Sequence, residues 1–328
     1  MAQTDYGDIS PRTAGFVAAE LLKRGIPYLV LEKFGQAKPL PNNKTKSVIF
    51  RRYNSLPFTP KPLTEGVTPG ATALTKTDVL ATVVQYGDRI EISDVVNDTH
   101  EDPILKEAAE VLGEQAANMI ETVRYNVLKA GLNVFYANGT SRSAVNTPIT
   151  TPLQRRITRA LKRQNAKKIT SIVRSTPSYG TQNVAPSFVG LIHPDLESDV
   201  RNMVGFVPTE QYGTVSPWEN EIGKVEDVRY VYSTIFASFP DAGGAASTTY
   251  MTTSGTSADV YPVIYVGRDA YGIVPLKGQS SLTPMVVNPK PSDSDPMAQR
   301  GHVAWKSMQT AVILNDLWMC RLEVACTA

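Results

Sequence analysis

Three histidine-containing segments are the first places in this sequence where metal binding or acid–base catalysis would be sought. They are His100-Glu101-Asp102, His193-Pro194-Asp195, and His302 close to Trp305. Each has a simpler structural explanation. Carboxylates at the start of a helix cap free backbone N–H groups, His-Pro-Asp is typical of a turn, and a histidine beside a tryptophan suits packing within a strand. We therefore predict no metal site and no catalytic histidine.

The segment Gly255-Thr-Ser-Ala-Asp259 comes nearest to a nucleophile motif. It lacks the second glycine that allows a nucleophilic serine to occupy a sharp strand-to-helix turn. The sequence also has no phosphate-binding glycine loop, no dinucleotide-binding glycine pattern and no zinc-ligand spacing. These observations predict a protein without catalytic residues or a cofactor, and so one that is not an enzyme.

A basic helix predicted over residues 153–168 is the strongest candidate for a binding function. Its cations are Arg155, Arg156, Arg159, Lys162, Arg163, Lys167 and Lys168. Cations at this density can neutralise nucleic-acid phosphates. They are equally typical of a solvated helix or of one that faces a neighbouring subunit, and no interleaved aromatic residues favour the first use. The residues alone leave both interpretations open.

Charge is distributed unevenly along the chain. The 328 residues include 33 Lys+Arg and 31 Asp+Glu, which gives a formal net charge of +2. Residues 122–194 nevertheless hold 11 basic residues and no acidic residue, whereas the segments on both sides have an acidic excess. Such polarity predicts a polyanionic partner or a complementary neighbouring subunit.

Composition indicates a globular protein, with 42% hydrophobic and 20% charged residues and a length that suits about two domains. The acidic, polar N-terminus does not resemble a secretory signal. No stretch approaches the ~18 consecutive apolar residues of a membrane span, so we expect no membrane partner. Cys320 and Cys326 lie six residues apart in a predicted strand, and we expect both to be reduced thiols in a cytosolic setting.

The first third of the chain predicts a short helix and a long hairpin. The helix is expected over residues 12–24, and strands are expected over Ser47–Tyr53, 78–86 and 89–96. About twenty residues rich in proline and glycine separate the first two strands, which is unusual inside a compact domain. We therefore predict that the hairpin projects from the body and is ordered by another molecule.

A long amphipathic helix is predicted from Asp102 and Pro103 to Gly131. Its apolar positions are spaced by three and four residues. They are Leu105, Ala108, Leu112, Ala116, Met119, Val123 and Val127. A helix of this length is expected to form the backbone around which a domain is arranged.

The remainder of the chain predicts short strands and loops. Strands are expected over 188–192, 229–235 and 261–267, and a flexible loop over 241–257. The C-terminal end predicts paired strands separated by a turn at Asn315-Asp316.

Several runs of residues together carry a family resemblance. They are 85–94 (QYGDRIEISD), 102–131, 153–170, 188–196, 259–272 (DVYPVIYVGRDAYG), 295–306 (DPMAQRGHVAWK) and 313–323 (ILNDLWMCRLE). In their number and order they resemble the major capsid proteins of tailed double-stranded-DNA phages, which share the Hong Kong 97-type fold. More narrowly, the chain is similar to the N-four-type coat-protein family. The first 45 residues match poorly.

The resemblance implies an α+β, Hong Kong 97-like fold in four parts. These are an N-terminal arm (1–45), an extended loop formed by a β-hairpin (46–96), a peripheral domain with a long spine helix and a β-sheet (97–131 and 300–328), and an axial domain (132–299).

The resemblance also implies a major capsid protein that self-assembles into pentamers and hexamers of an icosahedral phage head enclosing double-stranded DNA. Expected partners are copies of itself, packaged DNA bound without sequence specificity, and decoration, scaffolding and portal proteins. The expected location is the virion, after assembly in the host bacterial cytoplasm. The extended loop would lie over an adjacent subunit, with Arg51, Arg52, Lys61 and Lys76 as its contacts. We predict no covalent cross-link.

Two other functions remain open on the sequence. One is a sequence-independent nucleic-acid-binding protein that uses the basic helix over 153–168, and the other is a cellular compartment shell protein of the same fold.

Overall fold

The computed structural model describes residues 29–41, 44–68, 70–95, 104–174, 180–213, 216–246, 248–276, 282–287, 291, 296–297 and 299–328. The helix predicted over 12–24, the His100 segment, and the predicted helix start at Asp102 and Pro103 lie outside these residues.

Strands dominate the described residues. They are β1 (Gln36–Ala37), β2 (Ser47–Tyr53), β3 (Lys76–Thr82), β4 (Val84–Ser93), β5 (Val134–Tyr136), β6 (Ile169–Arg174), β7 (Gly180–Ile192), β8 (Phe206–Pro208), β9 (Glu221–Val225), β10 (Val228–Tyr232), β11 (Val260–Val266), β12 (Tyr271–Pro275), β13 (Leu282–Val287), β14 (Arg300–Ile313) and β15 (Met319–Ala325). The α-helices are α1 (Ile104–Lys129), α2 (Thr151–Arg163) and α3 (Glu197–Arg201).

The larger sheet has eight strands in the order β5-β15-β11-β7-β10-β9-β8, with β6 also paired to β7. Strand β11 lies near its centre and pairs antiparallel with β15 from Val260↔Ala325 to Val266↔Met319. Every residue of β11 is buried, which explains its continuous apolar sequence, since a strand covered on both faces needs no polar alternation.

The second sheet is built around β14, which pairs with β12, β13 and β4. Its contact with β4 runs from Arg300↔Ser93 to Gln309↔Val84. Helix α1 packs on this sheet, where Leu112 and Ala116 contact Val303 and Trp305 in one buried cluster.

The buried face of α1 differs from the predicted stripe in its second half. Met119, Val123 and Val127 are only half-buried, and the buried positions include Glu121, Arg124 and Leu128. The prediction was wrong there because it followed residue type, whereas two charged side chains occupy the face that turns toward the core.

The predicted hairpin is confirmed, with β2 and β3 paired from Ser47↔Thr82 to Tyr53↔Lys76. The predicted division into strands over 78–86 and 89–96 is wrong, since β3 ends at Thr82 and β4 continues through Gly87. A Cβ at Gly87 would lie 2.7 Å from the Trp305 carbonyl oxygen. This glycine therefore permits close approach of two strands and does not form a turn.

The predicted pairing of the C-terminal strands is wrong. Strand β14 is continuous over 14 residues and belongs to the second sheet, whereas β15 belongs to the larger sheet. A 3-10 turn over Asp316–Trp318 joins them, and the Asn315 side chain accepts a hydrogen bond from the Leu317 N–H within it. The chain crosses between sheets here because β4 and β11 offer each strand a long pairing partner.

Two further predictions need correction or refinement. Helix α2 ends at Arg163, not at residue 168, and Asn165 has a left-handed backbone with φ of 53°. Lys167 and Lys168 therefore follow the helix. The loop over 241–257 contains no strand among its described residues, but its backbone is anchored, for example by the Gly243 N–H donating to the Ala258 carbonyl at 2.9 Å.

Candidate interaction surfaces

Helix α2 is amphipathic, and its buried face fixes where its cations lie. Pro152 occupies its first turn, a position where the missing N–H costs nothing. Ile157 and Leu161 are fully buried in the core beside the larger sheet. Five predicted cations therefore project outward from the helix, namely Arg155, Arg156, Arg159, Lys162 and Arg163.

Part of this basic surface is neutralised by the turn between β9 and β10. Arg155 donates to the Glu226 carboxylate at 2.8 Å from Nε. Lys162 and Lys168 donate to the two oxygens of Asp227 at 2.5 and 2.9 Å. Hydrogen bonds from these two lysines lower the pKa of Asp227. Glu226 lies in the turn itself and has a left-handed backbone with a φ of 51°.

The other basic residues keep their charge unmatched. Arg156, Arg159, Arg163 and Lys167 form no ion pair with any residue in the described parts of the chain. The guanidinium carbon of Arg156 lies 5.3 Å from the centre of the Phe135 ring. A shallow cleft beside them is lined by Arg155, Thr158, Arg159, Lys162, Arg163 and Glu226. The sequence predicted the cations but missed their partners Glu226 and Asp227, which lie between 59 and 71 positions away.

The predicted loop contacts mostly hold the hairpin itself together. Arg51 donates to both oxygens of Asp78, at 2.8 and 3.1 Å, and Lys76 lies 3.2 Å from the same carboxylate. The Arg51 hydrogen bond is the main reason that the pKa of Asp78 falls to about 2. Lys61 donates to Thr72 Oγ1 at 2.8 Å inside the loop.

Arg52 differs from the other three, since its guanidinium carbon lies 5.9 Å from the centre of the Trp318 ring. The predicted role of these four residues toward an adjacent subunit stays a prediction.

Apolar side chains are exposed along residues 54–75, between β2 and β3. Phe58 is 91% exposed, Leu63 75%, and Val67 and Leu74 each 63%. The base of the hairpin is different, because Val48 and Phe50 are buried against Leu40 and Val274. A concentration of exposed apolar surface on one projecting segment is typical of a protein interface.

A buried polar cluster that the sequence did not predict joins the N-terminal segment to α1. Glu121 is fully buried, and its Oε1 accepts hydrogen bonds from the N–H groups of Val30 and Leu31. Burial raises the pKa of Glu121 to about 7. Arg124, also buried, lies 3.4 Å from the carboxylate of Glu32. The available signal was the pair of charged residues Glu121 and Arg124, spaced by three positions on the helical face that also carries Leu128.

The residues considered for catalysis have structural contacts. The His193 side chain accepts from the Asp195 N–H at the start of a 3-10 turn, and the Tyr261 hydroxyl donates to Asp195 at 2.6 Å. Asp259 accepts hydrogen bonds from Thr253 and from the Asp241 N–H, which anchors the loop over 241–257.

Among the residues that the structure describes, no group of three or more His, Cys, Asp or Glu side chains is arranged to hold a metal ion. Within the same residues, no helix combines the length and the apolar character needed to cross a membrane.

Comparison with solved structures shows the fold. The chain matches the capsid of Ralstonia phage GP4 with a TM-score of 0.66 and 11% identity, over 90% of this chain and 87% of that one. It matches the Cyanophage Pam1 capsid asymmetric unit with a TM-score of 0.62 and 12% identity, over 99% and 95%. The capsid of Cyanophage P-SCSP1u gives a TM-score of 0.60 and 13% identity, over 91% and 88%.

Comparison of sequences shows the family. No curated protein sequence matches the chain, but the family model described as "Phage capsid protein" matches residues 76–318. This match favours a phage capsid protein over a cellular compartment shell, and proteins of this structural family are not typically enzymes. The chain therefore belongs to the phage capsid protein family, and it is a capsid shell protein with the Hong Kong 97-type fold.

Proposed function

We propose that this chain is the major capsid protein of a tailed phage and that it self-assembles into the pentamers and hexamers of an icosahedral head around double-stranded DNA. The observation that carries the proposal is the agreement of two independent comparisons, since the family model covers residues 76–318 and the fold of a phage capsid covers 90% of the chain. The protein acts by shape and contact, with no chemical step.

The exposed apolar surface of residues 54–75 supports assembly through this loop. Phe58 and Leu63 are 91% and 75% exposed, and burying them against a neighbour would release ordered water from both surfaces. A loop of one copy on the body of the next makes a head-to-tail contact, which closes into rings when the rotation between copies allows it.

We propose the same four-part division of the chain as the sequence suggested: arm 1–45, extended loop 46–96, peripheral domain 97–131 and 300–328, and axial domain 132–299. The packing of α1 on β14 supports the peripheral unit. The pairing of β15 with β11 means that the end of the chain also contributes a strand to the sheet of the axial unit.

We propose that the unmatched cations beside α2 meet a neighbouring subunit or packaged DNA. Arg156, Arg159 and Arg163 are spaced by three and four residues, so they form one stripe along the helix. Contacts of this kind to DNA would be made with phosphates and would carry no sequence specificity.

The proposed partners and location follow from the proposed role. Copies of the chain are the main partners, portal, scaffolding and decoration proteins are additional ones, and the place of assembly is the cytoplasm of the host bacterium, with the virion as the final location.

The test is electron microscopy of the purified chain in negative stain, expressed alone and together with the proteins encoded beside it. We expect closed shells tens of nanometres across. A monodisperse monomer or dimer under every condition would contradict the proposal.

A second candidate function, nucleic-acid binding by the free subunit, is favoured by the unmatched stripe on α2. Replacing Arg156, Arg159 and Arg163 together with alanine should then abolish salt-sensitive DNA binding and leave shell formation intact. Unchanged DNA binding by this variant would eliminate the second candidate.

A further inference from the structure

Three cations, Lys129, Arg142 and Arg321, lie close together where α1, β5 and β15 meet. They outnumber the carboxylates that pair with them. Arg142 donates two hydrogen bonds of 2.7 Å to Glu323, and Arg321 Nε lies 3.1 Å from the same carboxylate. Lys129 approaches the Phe239 ring at 3.8 Å and the Ala237 carbonyl at 3.5 Å, and it forms no ion pair with any described residue. Three positive charges therefore share one buried negative charge.

This imbalance sets the cluster apart from the other buried cations of the described chain. Arg124 is paired with Glu32, Arg229 with Glu221, and Lys33 with Glu219. Burial and the neighbouring Arg142 and Arg321 lower the pKa of Lys129, as expected for a cation held near others of the same sign. Asp316, the other nearby carboxylate, accepts the Leu132 N–H and forms no ion pair with the cluster. Among the described residues, Glu323 is the carboxylate that pairs with the cluster, so the cluster keeps an excess of positive charge.

Two exposed leucines lie next to the ends of α1 and β15, the elements that carry Lys129 and Arg321. Leu132, three residues beyond Lys129, is 84% exposed, and Leu317, next to Asp316, is 49% exposed. Exposed apolar side chains beside an excess of positive charge match a carboxylate that is itself flanked by exposed apolar side chains.

The apex of the extended loop has this complementary composition. Thr64 to Val67 form a tight turn, in which the Val67 N–H donates to the Thr64 carbonyl at 3.1 Å and Gly66 has a φ of 76°. Glu65 is the only acidic residue between positions 54 and 75, is exposed, and forms no ion pair with any residue that the structure describes. Leu63 and Val67 flank it, 75% and 63% exposed.

We propose that Glu65 at the loop apex of one copy docks at the cluster of Lys129, Arg142 and Arg321 on an adjacent copy of the chain, with Leu63 and Val67 packed against Leu132 and Leu317. The occupant of the cation cluster is thus a second copy of this chain. The proposal rests on the proposed function, because it needs copies of the chain to assemble. The loop of one copy would thus bind the surface around Lys129 on the next copy, and the charge of Glu65 would determine where along that surface the loop lies.

Charge reversal tests the contact. Glu65→Lys and Lys129→Glu, each alone, should reduce the yield of closed shells at least tenfold, and the two substitutions together should restore most of the wild-type yield. Glu210→Lys is the matched control, since Glu210 is also exposed and forms no ion pair among the described residues. A normal yield of shells from Glu65→Lys, or no recovery of the yield in the double variant, overturns the proposed contact. In both cases, closed shells from the wild-type chain still support the proposed function. If the wild-type chain forms no shells, the proposed function itself fails.

Cross-linking tests the same contact without reversing a charge, in case Lys129→Glu fails to fold. Leu63→Cys combined with Leu132→Cys should form disulfides between copies in assembled shells, because the proposed contact packs these two side chains together and a disulfide needs Cβ atoms within about 4.5 Å. The expected result is a ladder of multimers on a non-reducing gel, and Glu210→Cys with Leu132→Cys should give none. Shells without this ladder overturn the proposal. So does a Lys129→Glu variant that forms normal shells but retains less DNA, since phosphate would then be the occupant of the cluster.

Discussion

The carboxylate of Glu121 accepts a hydrogen bond from the backbone N–H of Leu31 at 2.8 Å, inside the protein and across 90 positions of sequence. The neighbouring Val30 N–H donates to the same oxygen at 3.1 Å. Together these two hydrogen bonds attach the segment at Val30 and Leu31 to helix α1. The second oxygen of Glu121 is buried and has no hydrogen-bond partner among the residues that the structure describes, so ionisation of this group is costly.

The first prediction concerns this carboxyl group and pH. Burial raises its pKa from 4.5 to about 7 in the folded protein, so the folded state binds more protons than the unfolded state between these values. Its contribution to the free energy of unfolding is therefore present at low pH and is lost as pH rises through about 7, by up to about 3 kcal/mol. Glu121→Gln should remove this dependence.

Urea unfolding of free subunits between pH 5 and pH 8 measures the effect. The groups that face Glu121 are Arg124 on its own helix, Glu32 on the N-terminal segment and Tyr271 on β12. Glu210→Gln, on the surface, is the control. The dependence of its free energy of unfolding on pH should equal that of the wild type. Equal slopes in wild type and Glu121→Gln would show that this carboxyl group does not titrate in that range.

The second prediction separates two phenylalanines of the same hairpin. Phe50 is buried at the base, and Phe58 is 91% exposed in the loop. Phe50→Ser should lower the free energy of unfolding by about 3–5 kcal/mol, because it removes a buried ring. Phe58→Ser should leave the stability of the free subunit unchanged and reduce the yield of shells.

Thermal unfolding and shell yield measured on both variants check this prediction. A stable Phe58→Ser subunit that assembles normally would remove the loop from the interface.

The third prediction concerns the acids that face α2. Replacing Glu226 with Gln and Asp227 with Asn removes the partners of Arg155, Lys162 and Lys168. These pairs are solvent-exposed, so the free energy of unfolding should fall by less than about 1 kcal/mol. If the α2 surface meets DNA, the variant should bind duplex DNA more tightly and with a steeper salt dependence.

Fluorescence anisotropy with labelled duplex across a salt series provides the measurement. Asp78→Asn in the hairpin, which also frees an arginine and a lysine, is the matched control. It should change neither the affinity for duplex DNA nor the salt dependence of binding. A salt slope equal to that of the wild type would assign the α2 surface to contacts other than DNA.

The fourth prediction concerns the two thiols. Cys320 and Cys326 are buried and free, and burial raises the pKa of each to about 12. Because the thiolate is the reactive form, neither should react with a disulfide reagent at pH 8 in the native protein, and both should react after unfolding. A thiol titration in buffer and in denaturant distinguishes the states, and rapid reaction of either thiol in buffer would contradict the burial.

Much of the fold was predictable where one element carries a strong pattern of its own. Strand β2 has the predicted bounds, α1 exists as predicted, and the apolar run of β11 forms a buried strand. The division between the strands predicted over 78–86 and 89–96 was wrong, because Gly87 lies inside β4, where it permits close approach of a neighbouring strand.

The candidate surfaces were predictable only in part. Arg155 and Lys162 were predicted as cations, but their partners lie 71 and 65 positions away, and no local pattern links such positions. Lys129 offered no sequence signal, since its unmatched charge depends on Arg142 and Arg321, which come from other elements.

By itself, the sequence determined the local elements, the basic middle between acidic ends, and the family to which its runs of residues are similar. Only the tertiary structure decided that β14 and β15 lie in different sheets, that Glu121 is buried, and which cations keep their charge. The physical reason is that the periodicity of side chains along a helix or strand is a local property of a few residues. Strand pairing, burial and ion pairing instead depend on which distant segments the folded chain brings together.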